Sequence, residues 1–190
     1  MKHLVIFASG SGSNAENIAN YFEANNNVKI DLIATNKADA GVIERAKRLH
    51  TPFTIFNKTE LMAGDLLKIE AVKKADLIIL AGFLLKIPSH LIAAFPQKII
   101  NIHPALLPKY GGKGMFGDFV HQSVIENNEK ESGITIHYVN ENYDEGTTIF
   151  QKSFPLDADE TAESLAQKIH KLEYQYFPKV IDQLLFDDAK

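Results

Sequence analysis

Short apolar runs recur along the chain at 4–8 (LVIFA), 28–34 (VKIDLIA), 53–56 (FTIF), 77–81 (LIILA) and 98–102 (KIINI). They are continuous rather than alternating, the pattern of strands buried on both faces of a parallel sheet. Between them the spacing turns helical. Ile18, Tyr21 and Phe22 share one helical face behind a start at Ser13, which stands three residues before Glu16 in a capping-box spacing. Further helices are predicted over 40–49 (Val42, Ile43, Ala46, Leu49) and 59–74 (Leu66, Leu67, Ile69, Val72), with a short one near Pro88. After Ile102 the pattern changes to a glycine-rich loop over 104–117, a helix near 118–127, and the stretches GITIHYV at 133–139 and TTIFQKSF at 147–154. Those two read as alternating strands added antiparallel to the sheet. A last helical region spans about 161–186 and is expected to break at Pro178. The order predicts an α/β fold of one doubly wound, mostly parallel sheet with a late antiparallel addition and a C-terminal helix, its ligand site at the carboxyl ends of the strands.

Composition narrows the class. At 190 residues, 45% of them hydrophobic, one domain over 1–190 is expected, with a core of its own. Twenty Lys and Arg against 24 Asp and Glu leave a net charge of −4, which disfavours nucleic acid and anionic membranes as partners. The absence of cysteine removes disulfides, zinc thiolate sites and thiol nucleophiles and suits a reducing compartment. The longest apolar stretch, 77–85, is far short of the roughly 20 residues of a spanning helix, so a cytoplasmic protein is expected.

Two places carry candidate chemistry. The first is the turn Ala8-Ser9-Gly10-Ser11-Gly12-Ser13-Asn14, where glycines uncover backbone N–H groups at the start of a helix and an anion such as phosphate fits. Gly10-x-Gly12-x-x-Ala15 also meets the dinucleotide fingerprint, which further requires an acidic residue closing the second strand. That strand ends in Ala34-Thr35-Asn36, so a nicotinamide-dependent oxidoreductase lacks its ribose-binding group. A tight turn without a ligand is the simpler alternative. The second place is the fifth strand, where Asn101 and His103 point to one side because strand side chains alternate. An amide that donates hydrogen bonds and an imidazole that titrates near neutrality suit a developing oxyanion and a moving proton. Asp144, in the polar turn between the late strands, is the carboxylate within range; it would orient the ring and raise its pKa. A strand-end histidine and a solvated turn carboxylate are the structural alternatives for these residues.

The elements GSGSN at 10–14, TNKADAGVIERA at 35–46, LAGF at 80–83, NIHPALLPKY at 101–110 and IHYVNENYDEGTTIFQ at 136–151 together resemble the phosphoribosylglycinamide formyltransferases, in the family's order and over roughly residues 1–180. The resemblance implies a Rossmann-like formyltransferase fold and transfer of a formyl group from the co-substrate 10-formyltetrahydrofolate to the amine of phosphoribosylglycinamide, a step of purine synthesis, without a metal. It gives Asn101, His103 and Asp144 as catalytic, and Gly12, Ser13, Asn14, His170 and Glu173 as the phosphate and ribose site. Leu84, Leu85, Lys86 and Ile87 match the segment around the pterin, with Asn140, Glu141, Asn142, Tyr143, Asp144 and Asn101 on its other side. The partners implied are the two small molecules, and a homodimer is compatible with the chain. His137 lies in a matching stretch with either a packing or a site role. The chain departs from the family at Ala105, where serine is frequent, at Leu85, where arginine is usual, and in the loop 111–121, GGKGMFGDFVH. The rivals are a formyltetrahydrofolate deformylase or a methionyl-tRNA formyltransferase of the same fold, the oxidoreductase, and a silent folate- or nucleotide-binding module. The first two usually carry a further domain, and a transfer-RNA binder needs basic surface.

Overall fold

The computed structural model describes residues 1–186. Its strands are β1 (Lys2–Phe7), β2 (Val28–Thr35), β3 (Phe53–Ile55), β4 (Leu77–Leu80), β5 (Ile99–His103), β6 (Glu131–Tyr138) and β7 (Thr148–Pro155). They form one seven-stranded sheet in the order β3-β2-β1-β4-β5-β6-β7. The pairs from β3 to β5 are parallel, and β6 and β7 add antiparallel. Strand order reverses between β1 and β4, so the loops after these neighbours splay to opposite faces and leave a crevice at their carboxyl ends.

The continuous apolar strands have the predicted cause. In β1, Leu4 and Ile6 pack into one core and Val5 and Phe7 into the other, and all four are fully buried. The first core is closed by the helices α1 (Ser13–Phe22), α6 (Asp118–Glu126) and α7 (Ala162–Phe186) through Ile18, Val124, Ile169 and Phe177. The second is closed by α3 (Lys58–Ala63), α4 (Glu70–Lys73) and α5 (Ser89–Ala94) through Leu61, Val72 and Leu91. Phe7 and Phe83 meet edge-on, centroids 5.4 Å apart, and anchor the loop after β4. The helix α2 (Val42–Arg48) lies beside α1, where Arg45 and Arg48 pair with Glu16.

Several expectations change. The helix expected over 59–74 is three pieces: α3, a 3-10 turn at Asp65–Lys68, and α4. Gly64, left-handed at φ 81°, ends the first piece. The capping box belongs to Asn57 and Glu60 rather than to Ser13 and Glu16; the N-cap of α1 is Gly12, and Glu16 is held by the two arginines. Tyr21 leaves the apolar face and is 44% exposed. Burial in β6 runs unbroken from Ser132 to His137, with α7 packed on it, while the edge strand β7 shows most of its polar residues outward.

Pro178 does not break the last helix. Its missing N–H would have bonded the carbonyl of Tyr174, and that carbonyl instead accepts from Asn17 Nδ2 of α1 at 3.0 Å. The neighbouring helix supplies the hydrogen bond that the proline withholds. Asn17→Ala should therefore lower stability by about 1 kcal/mol, read as a lower urea midpoint at unchanged slope. An unchanged midpoint would mean that water serves the carbonyl as well.

Candidate functional site

A cavity of about 520 Å³ opens at the crevice between β1 and β4 and runs to the end of β5. Four loops and two helices line it: residues 10–14 after β1, 80–87 after β4, 112–117 after β5 and the turn after β6, with Asp118 and His121 of α6 and His170 and Glu173 of α7. Asn101, His103 and His137 form its floor, and Asn140, Asn142, Tyr143 and Asp144 close one side. Every residue expected in the site lines this cavity except Glu141, which is exposed. The turn made by Asn142 N donating to Asn140 Oδ1 at 2.9 Å carries residue 141 outward.

The glycine loop is shaped for close approach of backbone. Gly12 has φ 77°, and a Cβ there would lie 2.3 Å from Val42 Cγ2, so position 12 is closed to any larger residue on two counts. With glycine as N-cap, no side chain covers the first N–H groups of α1. The end of β2, where a dinucleotide site would place its acid, is occupied otherwise. Ser9 Oγ donates to Asn36 Oδ1 at 2.6 Å and accepts from the Leu84 amide at 3.0 Å, which ties β1, β2 and the loop after β4 together.

Asn101 and His137 are direct partners across β5 and β6. Asn101 Nδ2 donates to His137 Nε2 at 3.1 Å and reaches Asp144 Oδ1 at 3.4 Å, while His137 Nδ1 donates to the Tyr138 carbonyl at 2.9 Å. His103, 3% exposed, donates from Nε2 to the Tyr110 carbonyl at 2.7 Å, which leaves Nδ1 facing Asp144 Oδ2 at 3.6 Å. Asp144 is itself left-handed, φ 56°, and its Oδ2 accepts from the Gly112 amide at 3.0 Å. A polar turn residue has thus folded back over the sheet to hold two histidines, an asparagine and the loop after β5.

The electrostatics partly depart from the sequence reading. Burial would raise the Asp144 carboxyl, but the imidazoles of His137 and His103 and the Gly112 amide favour its charged form and hold it below the ordinary value. For His103 burial is the largest influence and lowers the pKa; Asp144 and the Tyr110 carbonyl push upward without overcoming it. The net direction is down, whereas the sequence reading expected Asp144 to lift it. A ring buried this deeply loses more hydration than a carboxylate 3.6 Å away returns.

At the far end, Glu173 is 6% exposed, and its Oε2 accepts from Asn14 Nδ2 and meets His170 Nδ1, each at 3.0 Å. The hydrogen bond to Glu173 raises the pKa of His170. Sequence reasoning missed His121 of α6, which is 4% exposed, lines the cavity and has no partner for Nδ1. Burial lowers its pKa. Its only signal in the sequence was a histidine on the inner side of a short amphipathic helix. Ala105 is fully buried and its carbonyl accepts from Thr135 Oγ1 at 2.7 Å, so the strand end is tied down without a serine hydroxyl. Among the described residues no group of three His, Asp or Glu is arranged to hold a metal, and no helix is long and apolar enough to cross a membrane.

The formyl transferase family profile matches residues 2–181. Phosphoribosylglycinamide formyltransferase of Bacillus subtilis is 39% identical over 191 residues, which cover 97% of this chain and 95% of that protein. The chloroplastic enzyme of the same name from Arabidopsis thaliana is 38% identical over all of this chain, which spans 67% of its length; the corresponding Vigna unguiculata protein is spanned over 61%. Among solved structures, phosphoribosylglycinamide formyltransferase from Anaplasma phagocytophilum superposes with a TM-score of 0.89 at 30% identity, covering 100% of this chain and 89% of that one. The one from Bacillus halodurans gives 0.87 at 33% identity, covering 100% and 97%.

Proposed function

The chain belongs to the formyl transferase family, and from that membership we propose that it moves the formyl group of 10-formyltetrahydrofolate to the amine of phosphoribosylglycinamide, a step of purine synthesis. The observation that carries the reading is the convergence of Asn101, His103 and Asp144 midway along a cavity whose ends differ in chemistry. The end at 10–14 and Glu173 offers uncovered amides and a carboxylate, suited to a phosphate and ribose hydroxyls. The other end, at 84–87 with Asn140, Asn142 and Tyr143, offers backbone groups and apolar side chains, suited to a flat pterin. Residues 1–190 act as one catalytic domain on two small molecules. The cytoplasm is the compartment we assign, in keeping with a cysteine-free chain.

The chemistry needs one proton moved and one charge held. The amine attacks the formyl carbon, the carbonyl oxygen becomes negative, and the C–N bond to the folate breaks as that nitrogen takes a proton. Asn101 Nδ2, whose contact with Asp144 is long at 3.4 Å, turns that hydrogen toward the oxyanion. His103 enters neutral, because burial favours that form, with its Nε2 hydrogen fixed on the Tyr110 carbonyl. Its free Nδ1 takes the proton of the attacking amine and passes it to the departing nitrogen, so the proton count closes. The charged ring formed in between faces the Asp144 carboxylate at 3.6 Å.

Mixing purified protein with both substrates should release tetrahydrofolate, followed by absorbance, at a kcat of about 1–10³ s⁻¹. Release that is as fast without phosphoribosylglycinamide would make water the acceptor and the protein a deformylase. No turnover by well-folded protein would refute the assignment.

A further inference from the structure

The cavity poses an electrostatic problem. Its fixed ionisable lining is Lys86 and Lys113 against Asp118, Asp144 and Glu173, an excess of one negative charge, yet the substrates proposed for it are anions. The turn at 10–14 contributes amides but no cation of its own; Arg45, just behind it, spends its guanidinium on the Ser11 carbonyl and Glu16. His170 is already given to Glu173.

Of the two lysines in the lining, Lys86 stands in the segment after β4 and Lys113 in the loop after β5. Lys113 lines the cavity in the loop that also carries Asp118 into α6, it is exposed, and it has neither a carboxylate nor a hydrogen-bond partner among the described residues. Its flanks, Gly112 at φ 99° and Gly114 at φ 90°, have open space where a Cβ would lie, and the turn is closed by Met115 N donating to the Gly112 carbonyl at 3.1 Å, so the lysine projects from a glycine turn with room around it. Two further observations point to a polar ligand here. Asn14 Oδ1 and His121 Nδ1, both more than nine-tenths buried and both on residues lining this cavity, have no partner among the described residues. The helix α6 that follows this loop packs on α7, which carries His170 and Glu173.

Resting on the reading that a phosphoribosyl group lies against residues 10–14, we propose that Lys113 is a substrate-binding residue that supplies the positive charge for its phosphate. The flexible lysine stem brings the ammonium to a phosphate held by the amides of 10–14. A charge-assisted contact of this kind contributes roughly tenfold or more in affinity.

The test is a calorimetric titration of ribose 5-phosphate and of ribose into the wild type, Lys113→Ala and Lys113→Arg, alongside KM for each substrate. The expected result is that ribose 5-phosphate binds Lys113→Ala about tenfold more weakly, that raised salt narrows the gap, that arginine restores most of it, and that KM for the folate is unchanged. Equal affinity of the wild type and Lys113→Ala for ribose 5-phosphate would overturn the proposal. So would a rise in KM for the folate alone, which would place the ammonium on a folate carboxylate. A wild type that binds ribose 5-phosphate through Lys113 and yet transfers no formyl group would refute the assigned reaction and leave the lysine's role standing.

Discussion

His103→Ala should lose about 10²–10⁴-fold in kcat while the KM values of both substrates change little, because the imidazole is used while the proton is in motion and not while the substrates are held. The structure makes the loss specific. His103 is buried and its Nε2 is fixed on the Tyr110 carbonyl, while the neighbouring His137 Nε2 is occupied by the Asn101 amide. Asn101 and His137 remain joined across β5 and β6 in the variant, which keeps the oxyanion donor in position and preserves a residual rate above that in water. Steady-state constants on a folded variant decide it: a kcat within threefold of the wild type would remove His103 from the proton transfer.

Asp144→Asn should cost on the order of 10²-fold or more in the plateau rate, and its pH profile carries more information than the loss itself. His103 has its pKa depressed below 6.5 by burial, with Asp144 opposing the depression. The neutral ring that accepts the amine proton is therefore present above that depressed value and is lost as pH falls through it, so the wild-type acid limb lies below pH 6.5. Removing the carboxylate removes an upward influence, and the limb of Asp144→Asn should move further toward acid. A rate that instead falls as pH rises through this region would show that the working form of His103 is the charged one. The amide of the variant still accepts from Gly112, so the loop after β5 is expected to hold.

The sheet was legible because its evidence is local and redundant. Leu4 to Phe7 must fill two cores at once, and only continuous hydrophobicity does that. The elements misread were those decided by one residue or by a distant partner. Gly64 divides the helix expected over 59–74 through its left-handed backbone, which a count of apolar positions does not weigh against Leu66 and Val72. Pro178 was read as a break because the donor that replaces its N–H, Asn17, is 161 residues away. Ser13 and Glu16 have a capping-box spacing, but a neighbouring helix claims the glutamate with two arginines.

The site follows the same division. Asn101 and His103 were legible from strand alternation, and the glycine turn from its composition. Asp144 was legible as a carboxylate within range, but its grip on Gly112, Asn101 and both histidines depends on a left-handed turn that folds back over the sheet. The direction of the His103 pKa was misread because a sequence shows which charges are near and does not show how much water is excluded. His121 escaped for that reason too: its interest lies in a missing partner, which only coordinates reveal.

The junction of α1 and α7 bears on when the protein becomes competent during its own synthesis. Three contacts run along it, Asn14 to Glu173, Asn17 to the Tyr174 carbonyl and Tyr21 to Asp182, at 3.0, 3.0 and 3.4 Å. Strand β5, the glycine turn and Asp144 all precede α7 in the sequence and leave the ribosome before it, so the nascent cavity lacks one wall until α7 is made. Until then Asn14 of the glycine turn lacks its Glu173 partner. The cavity is therefore enclosed only once α1 and α7 have met.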